Sequence, residues 1–242
     1  MVISRVGLSE LYTEDAVKFI EARGGEVRLN AVVKNIEIEN GAIKSVLLSN
    51  DERIAAATVI SAVPYFMLKE IMDEALLDEH FPVVKNFVSA PIVSINLWYE
   101  KPVTEIEFVG LLDSPIEWVF NKNAIGGTPN SGLHHLALVI SGAHDAAKMT
   151  KESLVELAVS EINKHFPKAK NQSPVHSYVI KEQHATISHT VGVAAQRPSS
   201  RTGIHGFYLA GDWTATGLPA TIESAVKSGQ QCAEMIQFLD RS

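Results

Sequence analysis

The residues with the clearest chemical potential stand near the end of the chain, in the run FYLAGDWTATGLPATIESAVKSG at 207–229. An apolar strand leads into Gly211, and a glycine lets the backbone pass close to a ligand because it carries no Cβ. Asp212 follows at the strand's carboxyl end, where open α/β sheets bind their ligands. A polar connection at 214–217 brings the chain to Pro219, which suits the first turn of a helix because it has no N–H there. Ala220, Thr221 and Ile222 then offer free backbone N–H groups, which together with the helix dipole make a site for negative charge. The helix is amphipathic, with Ile222, Val226, Gly229, Ala233 and Ile236 sharing a face and with Gly229 and Ala225 allowing close approach to a strand. A plainer reading of the same residues is an ordinary strand–turn–helix in which Asp212 serves as a turn or capping aspartate.

Other reactive side chains are scattered. His134, His135, His184, His189 and His205 form no HExxH and no tight Cys/His cluster, so they read as dispersed polar histidines and no metal site is expected. Cys232 sits among apolar neighbours on the last helix and reads as a small buried residue. Asp113-Ser114-Pro115 is a turn signature. No serine, histidine and aspartate arrangement can be read from the sequence, so a hydrolase is not expected and no catalytic side chain is named. Trp98, Trp118 and Trp213 are core or pocket-wall aromatics; as a pocket lining they suit an apolar ligand.

The elements that must position these residues follow from periodicity. Leu8, Leu11, Tyr12, Ala16, Phe19 and Ile20 predict a helix over 8–23, ended by Gly24-Gly25. Strands are expected at 26–29, 32–38, 43–49 and 58–62, with Asn40-Gly41 as a hairpin turn. The stretch 57–63 is nearly all apolar or small, as in a strand covered on both faces. A helical pattern occupies 65–80, and alternating strands are expected at 91–99, 108–112, 118–121, 136–141 and 175–182. Residues 122–133 and 192–206 read as loops. Helices are expected over 150–165 and 219–239. Strand–helix elements at both chain ends flank a mostly antiparallel middle, which suggests one domain made from both ends with a second inserted in it.

The 242 residues suffice for one large domain or two small ones. Hydrophobic residues make up 46% and charged residues 20%, an ordinary soluble composition. A net charge of −7 without any Lys/Arg-rich run argues against a nucleic-acid partner. One cysteine excludes a disulfide framework within the chain and fits a reducing, cytoplasmic setting. The first residues do not read as a secretory signal, and no stretch approaches a membrane span. Peripheral contact at the inner face of a membrane stays open.

The run Leu209-Ala210-Gly211-Asp212-Trp213-Thr214, followed by Gly217 to Gly229, resembles the carboxy-terminal flavin motif of the amine oxidase superfamily, in the branch of phytoene desaturases and hydroxysqualene dehydroxylase. The resemblance implies FAD as cofactor, with Gly211 and Asp212 at the pyrophosphate and ribityl region and Ala220, Thr221 and Ile222 at the flavin ring edge, Pro219 opening their helix. A helix tip there would stabilise the anionic charge that reduced flavin carries near N1. Val33 resembles the strand valine that pairs with the adenine, and Ala62, within Val59-Ile60-Ser61-Ala62-Val63-Pro64, the edge of the dinucleotide domain. The strands at 91–99, 110–115 and 118–122 resemble the substrate domain of the same branch. So does the segment 181–188.

The resemblance therefore implies an α/β fold, α+β overall. It would be the carboxy-terminal portion of an FAD-binding, Rossmann-like domain (1–64 and 203–242) with an inserted substrate domain of mostly antiparallel sheet plus helices (65–202). It implies an FAD-dependent oxidoreductase acting on an apolar isoprenoid, by hydroxysqualene dehydroxylation or by squalene or phytoene desaturation. In one respect the chain departs from the family: it has no GxGxxG to grip the pyrophosphate. A missing amino-terminal Rossmann half is thus an expected partner, and the surface left for it should be apolar and prone to association. The alternatives are a non-catalytic binding domain, half of a split flavoenzyme, or a flavin amine oxidase.

Overall fold

The structure is a computed structural model that describes residues 3–126 and 132–239. Helix α1 spans Leu8–Glu21. The β1 (Val33–Glu39) and β2 (Ala42–Leu48) strands form a hairpin, followed by β3 (Arg53–Ala55) and β4 (Val59–Ser61). Short helices α2 (Leu68–Ile71) and α3 (Glu74–His80) precede β5 (Ser89–Tyr99), β6 (Phe108–Gly110) and β7 (Trp118–Asn121). Then come α4 (Lys122–Ile125), β8 (His134–Ile140), α5 (Lys151–His165), β9 (His176–Ile187), α6 (Val193–Gln196), β10 (Phe207–Leu209) and α7 (Ile222–Leu239). The mixed α/β character expected from the sequence is what the chain adopts.

Two compact units divide the chain: unit 1 holds 1–27 and 90–185, and unit 2 holds 28–89 and 186–242. An element made from both chain ends with an insertion was expected, but with boundaries at 64/65 and 202/203. Two packing facts place them elsewhere. Helix α1 belongs to unit 1, where Arg5 just before it donates to the Ala124 and Ile125 carbonyls and pairs with Glu107. The segment 65–87 belongs to unit 2, where Tyr65, Leu68, Ile71, Leu77 and Phe81 share a core with Phe207 and Leu209.

Unit 1 is a five-stranded sheet in the order β6-β7-β8-β5-β9 with α5 on one face. Alternation builds it: Val93, Ile95, Leu97 and Tyr99 of β5 and Leu136 and Leu138 of β8 face Leu154, Ala158 and Ile162 of α5, all fully buried. Each such aliphatic side chain contributes about 1.5–3 kcal/mol relative to exposure. Thr150 caps α5 by accepting from the Ser153 N–H at 3.1 Å. The opposite face of the sheet carries Asn96, Trp98, His135, Ala137, Phe120 and Trp118, none of them buried. Helix α1 forms over the expected residues, yet none of its residues is buried, and Leu8, Leu11, Tyr12, Phe19 and Ile20 are exposed.

Unit 2 combines the antiparallel sheet β1-β2-β3 with a parallel pair, β4 and β10. Asn40 (φ 52°) and Gly41 (φ 74°) turn the β1–β2 hairpin, as a turn with two positive φ values requires. In the parallel pair, Val59, Ile60 and Ser61 match Phe207, Tyr208 and Leu209.

Several expectations need correction. No strand forms at 26–29. The 57–63 strand is covered on one side only, with Ile60 43% exposed. The 65–80 helix breaks at Met72, whose backbone is extended (φ −144°, ψ 143°), and Asp73 restarts it. The 122–133 loop begins as α4, capped by Asn121, which accepts from the Ala124 N–H; 127–131 lie outside the described residues. The 192–206 loop contains α6, and β3 and the extension of β9 to Ile187 were not foreseen.

Candidate functional site

The candidate site lies within unit 2, where β10 ends and α7 begins. Gly211 takes φ +146°, a region that L side chains rarely adopt, and an added Cβ would come within 2.6 Å of the Trp213 indole nitrogen. The backbone thus turns sharply at the strand's carboxyl end with the Trp213 ring tucked under it. Trp213 is 1% exposed and its Nε1–H donates to the Val63 carbonyl at 3.1 Å. Ala210 N–H donates to the Ser61 carbonyl at 2.9 Å. Ala62, itself exposed, is therefore held between two anchors that join β4 to the end of β10.

Helix α7 packs on this strand through small polar residues at four-residue spacing. Ser224, Ser228 and Cys232 are all fully buried. The Ser228 hydroxyl accepts from the Gly211 N–H at 2.7 Å, Ser224 Oγ donates to the Asp212 carbonyl at 3.2 Å, and Cys232 Sγ reaches the Leu209 carbonyl at 3.3 Å. Of the apolar face expected for the helix, Ile236 packs against Tyr208, Ala210 and Cys232, but its amino-terminal part does not. Ile222 and Val226 are 60% and 53% exposed, and Gly229 has open space where a Cβ would stand rather than a neighbouring strand. Backbone groups at the strand end need partners when buried, and serine hydroxyls supply them where aliphatic side chains cannot.

Arg197 holds the connection. It is 8% exposed, and its guanidinium donates to the carbonyls of Leu218 and Asp212 and, at 3.1 Å, to Ser224 Oγ. One planar fork thereby fixes both ends of the 212–218 loop and the first turn of α7. Thr216 Oγ1 lies 2.6 Å from Ser224 Oγ and completes the buried network. Burial pushes the Asp212 carboxyl above the ordinary carboxylate value, while the Arg197 guanidinium and the Asp212 and Trp213 amides pull it back.

The helix tip differs in detail from the expectation. Pro219 stands before the helix, whose first residue is Ile222. The Ala220 N–H is not free: it donates to His189 Nε2 at 3.1 Å. Thr221 acts as the cap, its hydroxyl accepting from the Ser224 N–H at 3.3 Å. The Thr221, Ile222 and Glu223 amides meet no acceptor among the described residues, leaving three unpaired N–H groups at the start of α7. Val33 opens β1 opposite Leu48 and packs on the same core as Trp213, outside the loop's hydrogen-bond network. Trp213 is a core residue, whereas Trp98 and Trp118 lie on the open sheet face of unit 1. Sequence reasoning missed Arg197, His189, Ser224 and Ser228. Of these, only the two serines left a signal, their four-residue spacing on the final helix. Among the described residues no group of three His, Cys, Asp or Glu side chains could hold a metal ion.

The sequence profile of the family described as flavin containing amine oxidoreductase matches residues 1–237. The chain is 27% identical over 232 residues to a 15-cis-phytoene desaturase of Solanum lycopersicum, covering 91% of this chain and 40% of that protein. It is 29% identical over 237 residues to a hydroxysqualene dehydroxylase of Sinorhizobium fredii, covering 97% and 52%. The fold is like that of a Methanosarcina mazei oxidoreductase (TM-score 0.69, 19% identity, 90% of this chain and 52% of that one). It is equally like a redesigned putrescine oxidase (TM-score 0.69, 19% identity, 96% and 53%). The chain thus spans about half or less of the length of the curated relatives it matches. A match over 1–237 takes in the glycine–aspartate strand end and the tip of α7, and the chain belongs to the flavin containing amine oxidoreductase family.

Proposed function

We propose that this chain is the carboxy-terminal part of an FAD-dependent oxidoreductase acting on an isoprenoid lipid, with unit 2 holding the flavin side of the cofactor and unit 1 holding the substrate. The observation that carries this reading is the turn at Gly211 and Asp212 running into the exposed Ile222 and Glu223 amides, all held by buried Arg197. These residues fit the group. The unpaired amides at the tip of α7 suit the electron-rich pyrimidine edge of a flavin. When bound, FAD supplies hydride transfer. The chain's own residues orient it: Gly211 and Asp212 toward the ribityl and pyrophosphate region, and Thr221 and Ile222 toward the ring. Ala220 joins them if His189 releases its amide. Ala62 at the end of β4 and Val33 on β1 remain proposed cofactor contacts.

For the substrate, Trp98 and Trp118 on the open face of the unit 1 sheet are the proposed apolar lining. The printed names of two relatives, a phytoene desaturase and a hydroxysqualene dehydroxylase, support an isoprenoid. A polypeptide segment carrying GxGxxG is the proposed partner for the pyrophosphate. The apolar surface available to it includes Ile222 and Val226 on α7 and Ile60 on β4. Among the described residues no helix is long and apolar enough to cross a membrane. The exposed apolar side of α1 is compatible with peripheral contact at a lipid surface.

The test is an FAD titration of the purified chain, alone and with a co-expressed polypeptide bearing GxGxxG, read by visible absorbance and by thermal shift. Bound-flavin bands with a rise in melting temperature are expected in at least the second case. A colourless protein without thermal shift in both would overturn the flavin reading. That outcome would favour the second one, an interaction module, which the exposed apolar residues of α1 also suit.

A further inference from the structure

One contact at the tip of α7 comes from outside the strand, loop and helix that build it. His189 stands just past the end of β9, in a pinned segment of unit 2. The Ser188 N–H donates to the Val88 carbonyl at 2.7 Å, and the Thr190 and Val193 amides donate to the Ser188 and Thr190 carbonyls at 2.9 and 3.2 Å. From there the imidazole reaches the tip, where its Nε2 accepts from the Ala220 N–H at 3.1 Å. The Thr221, Ile222 and Glu223 amides that follow meet no acceptor among the described residues. The first of four successive N–H groups is therefore covered, and the group that covers it can be protonated.

We propose that His189 is a positioning residue that competes with the flavin for the Ala220 amide, so that cofactor uptake is coupled to protonation of this imidazole. The inference rests on the flavin reading of the tip and adds to it what controls access. An imidazole accepts a hydrogen bond only through an unprotonated ring nitrogen, and in its charged form both nitrogens are donors. The Ala220 bond thus exists only while His189 is neutral, with its proton on Nδ1. A proton taken from solvent onto Nε2 sets two N–H groups against each other. The contact is then lost, and the Ala220 N–H joins the three amides beyond it in facing an electron-rich ligand edge. Histidine is the side chain that makes this change between about pH 5 and 8.

Asp212 is the carboxyl with which the imidazole interacts. Burial raises the Asp212 carboxyl, and Arg197, the Asp212 and Trp213 amides and His189 draw it back. Arg197 is itself committed to the Leu218 and Asp212 carbonyls. Glu223 lies in the first turn of α7, and Lys85, on the segment leading to Val88, is paired with Glu74 and Asp78. A charged His189 therefore keeps an acidic neighbour when it leaves the amide. A histidine that served only to cap the helix would add stability without making ligand affinity follow its protonation, and this separates the two roles.

The experiment titrates the full chain, co-expressed with a polypeptide bearing GxGxxG, with FAD at about pH 8 and about pH 6, on either side of the ordinary imidazole value. Amide NMR of the unliganded chain follows the Ala220 N–H over the same range. FAD is expected to bind about two- to tenfold more tightly at the lower pH, the range of one neutral hydrogen bond. His189→Ala should show the tighter affinity at both pH values. His189→Gln, whose carbonyl accepts at every pH, should show the weaker affinity at both. The Ala220 resonance should move as the His189 imidazole titrates and stand still in His189→Gln. An FAD affinity independent of pH, an Ala220 resonance indifferent to the imidazole, or a pH response that survives His189→Ala would each overturn the proposal and leave the flavin reading standing. No FAD binding at either pH would overturn both.

Discussion

The indole N–H of Trp213 donates a hydrogen bond to the main-chain carbonyl of Val63, 3.1 Å away, joining the exit of β10 to the exit of β4. The side chain just after the glycine–aspartate turn is thus committed inward, and its ring is the floor on which Gly211 turns. Trp213→Phe keeps an aromatic in the core but leaves the Val63 carbonyl unpaired. A loss of about 1–3 kcal/mol is expected. Trp213→Ala should cost about 3–5 kcal/mol by opening a cavity. Urea unfolding of both variants checks the order, and a Phe variant as stable as the parent would remove the bond from the account.

Arg197 bonds two carbonyls and one hydroxyl of the loop it spans. Arg197→Met should destabilise the chain by about 3 kcal/mol, since charge-assisted bonds contribute about 1.5–3 kcal/mol and their acceptors would stay buried. Arg197→Lys keeps the charge and loses the fork, so an intermediate loss is expected. Both variants should weaken FAD uptake more than a surface variant such as Lys168→Ala does. Thermal melts with and without FAD give the comparison.

His135 resists protonation in the folded chain, mainly through burial, with its value about 4 against an ordinary 6.5. The unfolded chain therefore binds the extra proton first. Stability contributed by this group is fully present above about pH 6.5 and declines as pH falls from there toward 4. His134, also lowered by burial, acts in the same direction. His135→Gln should flatten the urea midpoint across that window while changing little at pH 8. An unchanged acid slope would count against the neutral imidazole.

Tyr99 carries a fully buried hydroxyl with no hydrogen-bond partner among the described residues, and burial raises its value to about 12. Removing it takes away an unpaired polar atom and leaves the ring packed against α5. Tyr99→Phe should accordingly be neutral or stabilising, by up to about 1 kcal/mol, rather than costing the usual bond. A melting temperature several degrees below the parent's would show that the hydroxyl is satisfied.

Strand β5 was legible because its alternation is strict, and Asn40-Gly41 because a two-residue turn with positive φ leaves few residue choices. Gly211 was legible as a turn residue for the same reason, since its φ of +146° narrows the residue choice. The buried side of α7 was misread because period alone places Ile222 and Val226 inside, whereas the strand end beneath it presents amide and carbonyl groups that ask for Ser224 and Ser228. Arg197 could not be found, since it stands in an aperiodic segment where an arginine is ordinarily solvated.

The parallel pairing of β4 with β10 brings residues 59–61 and 207–209, far apart in sequence, into one register. During synthesis the earlier strand emerges long before its mate, and Ile60 and its neighbours wait without their parallel partner until residues 207–209 have left the ribosome. Unit 1, whose final strand comes earlier, can complete its sheet in that interval. A nascent chain stopped short of Phe207 is thus expected to close the larger sheet while leaving β4 without its parallel partner.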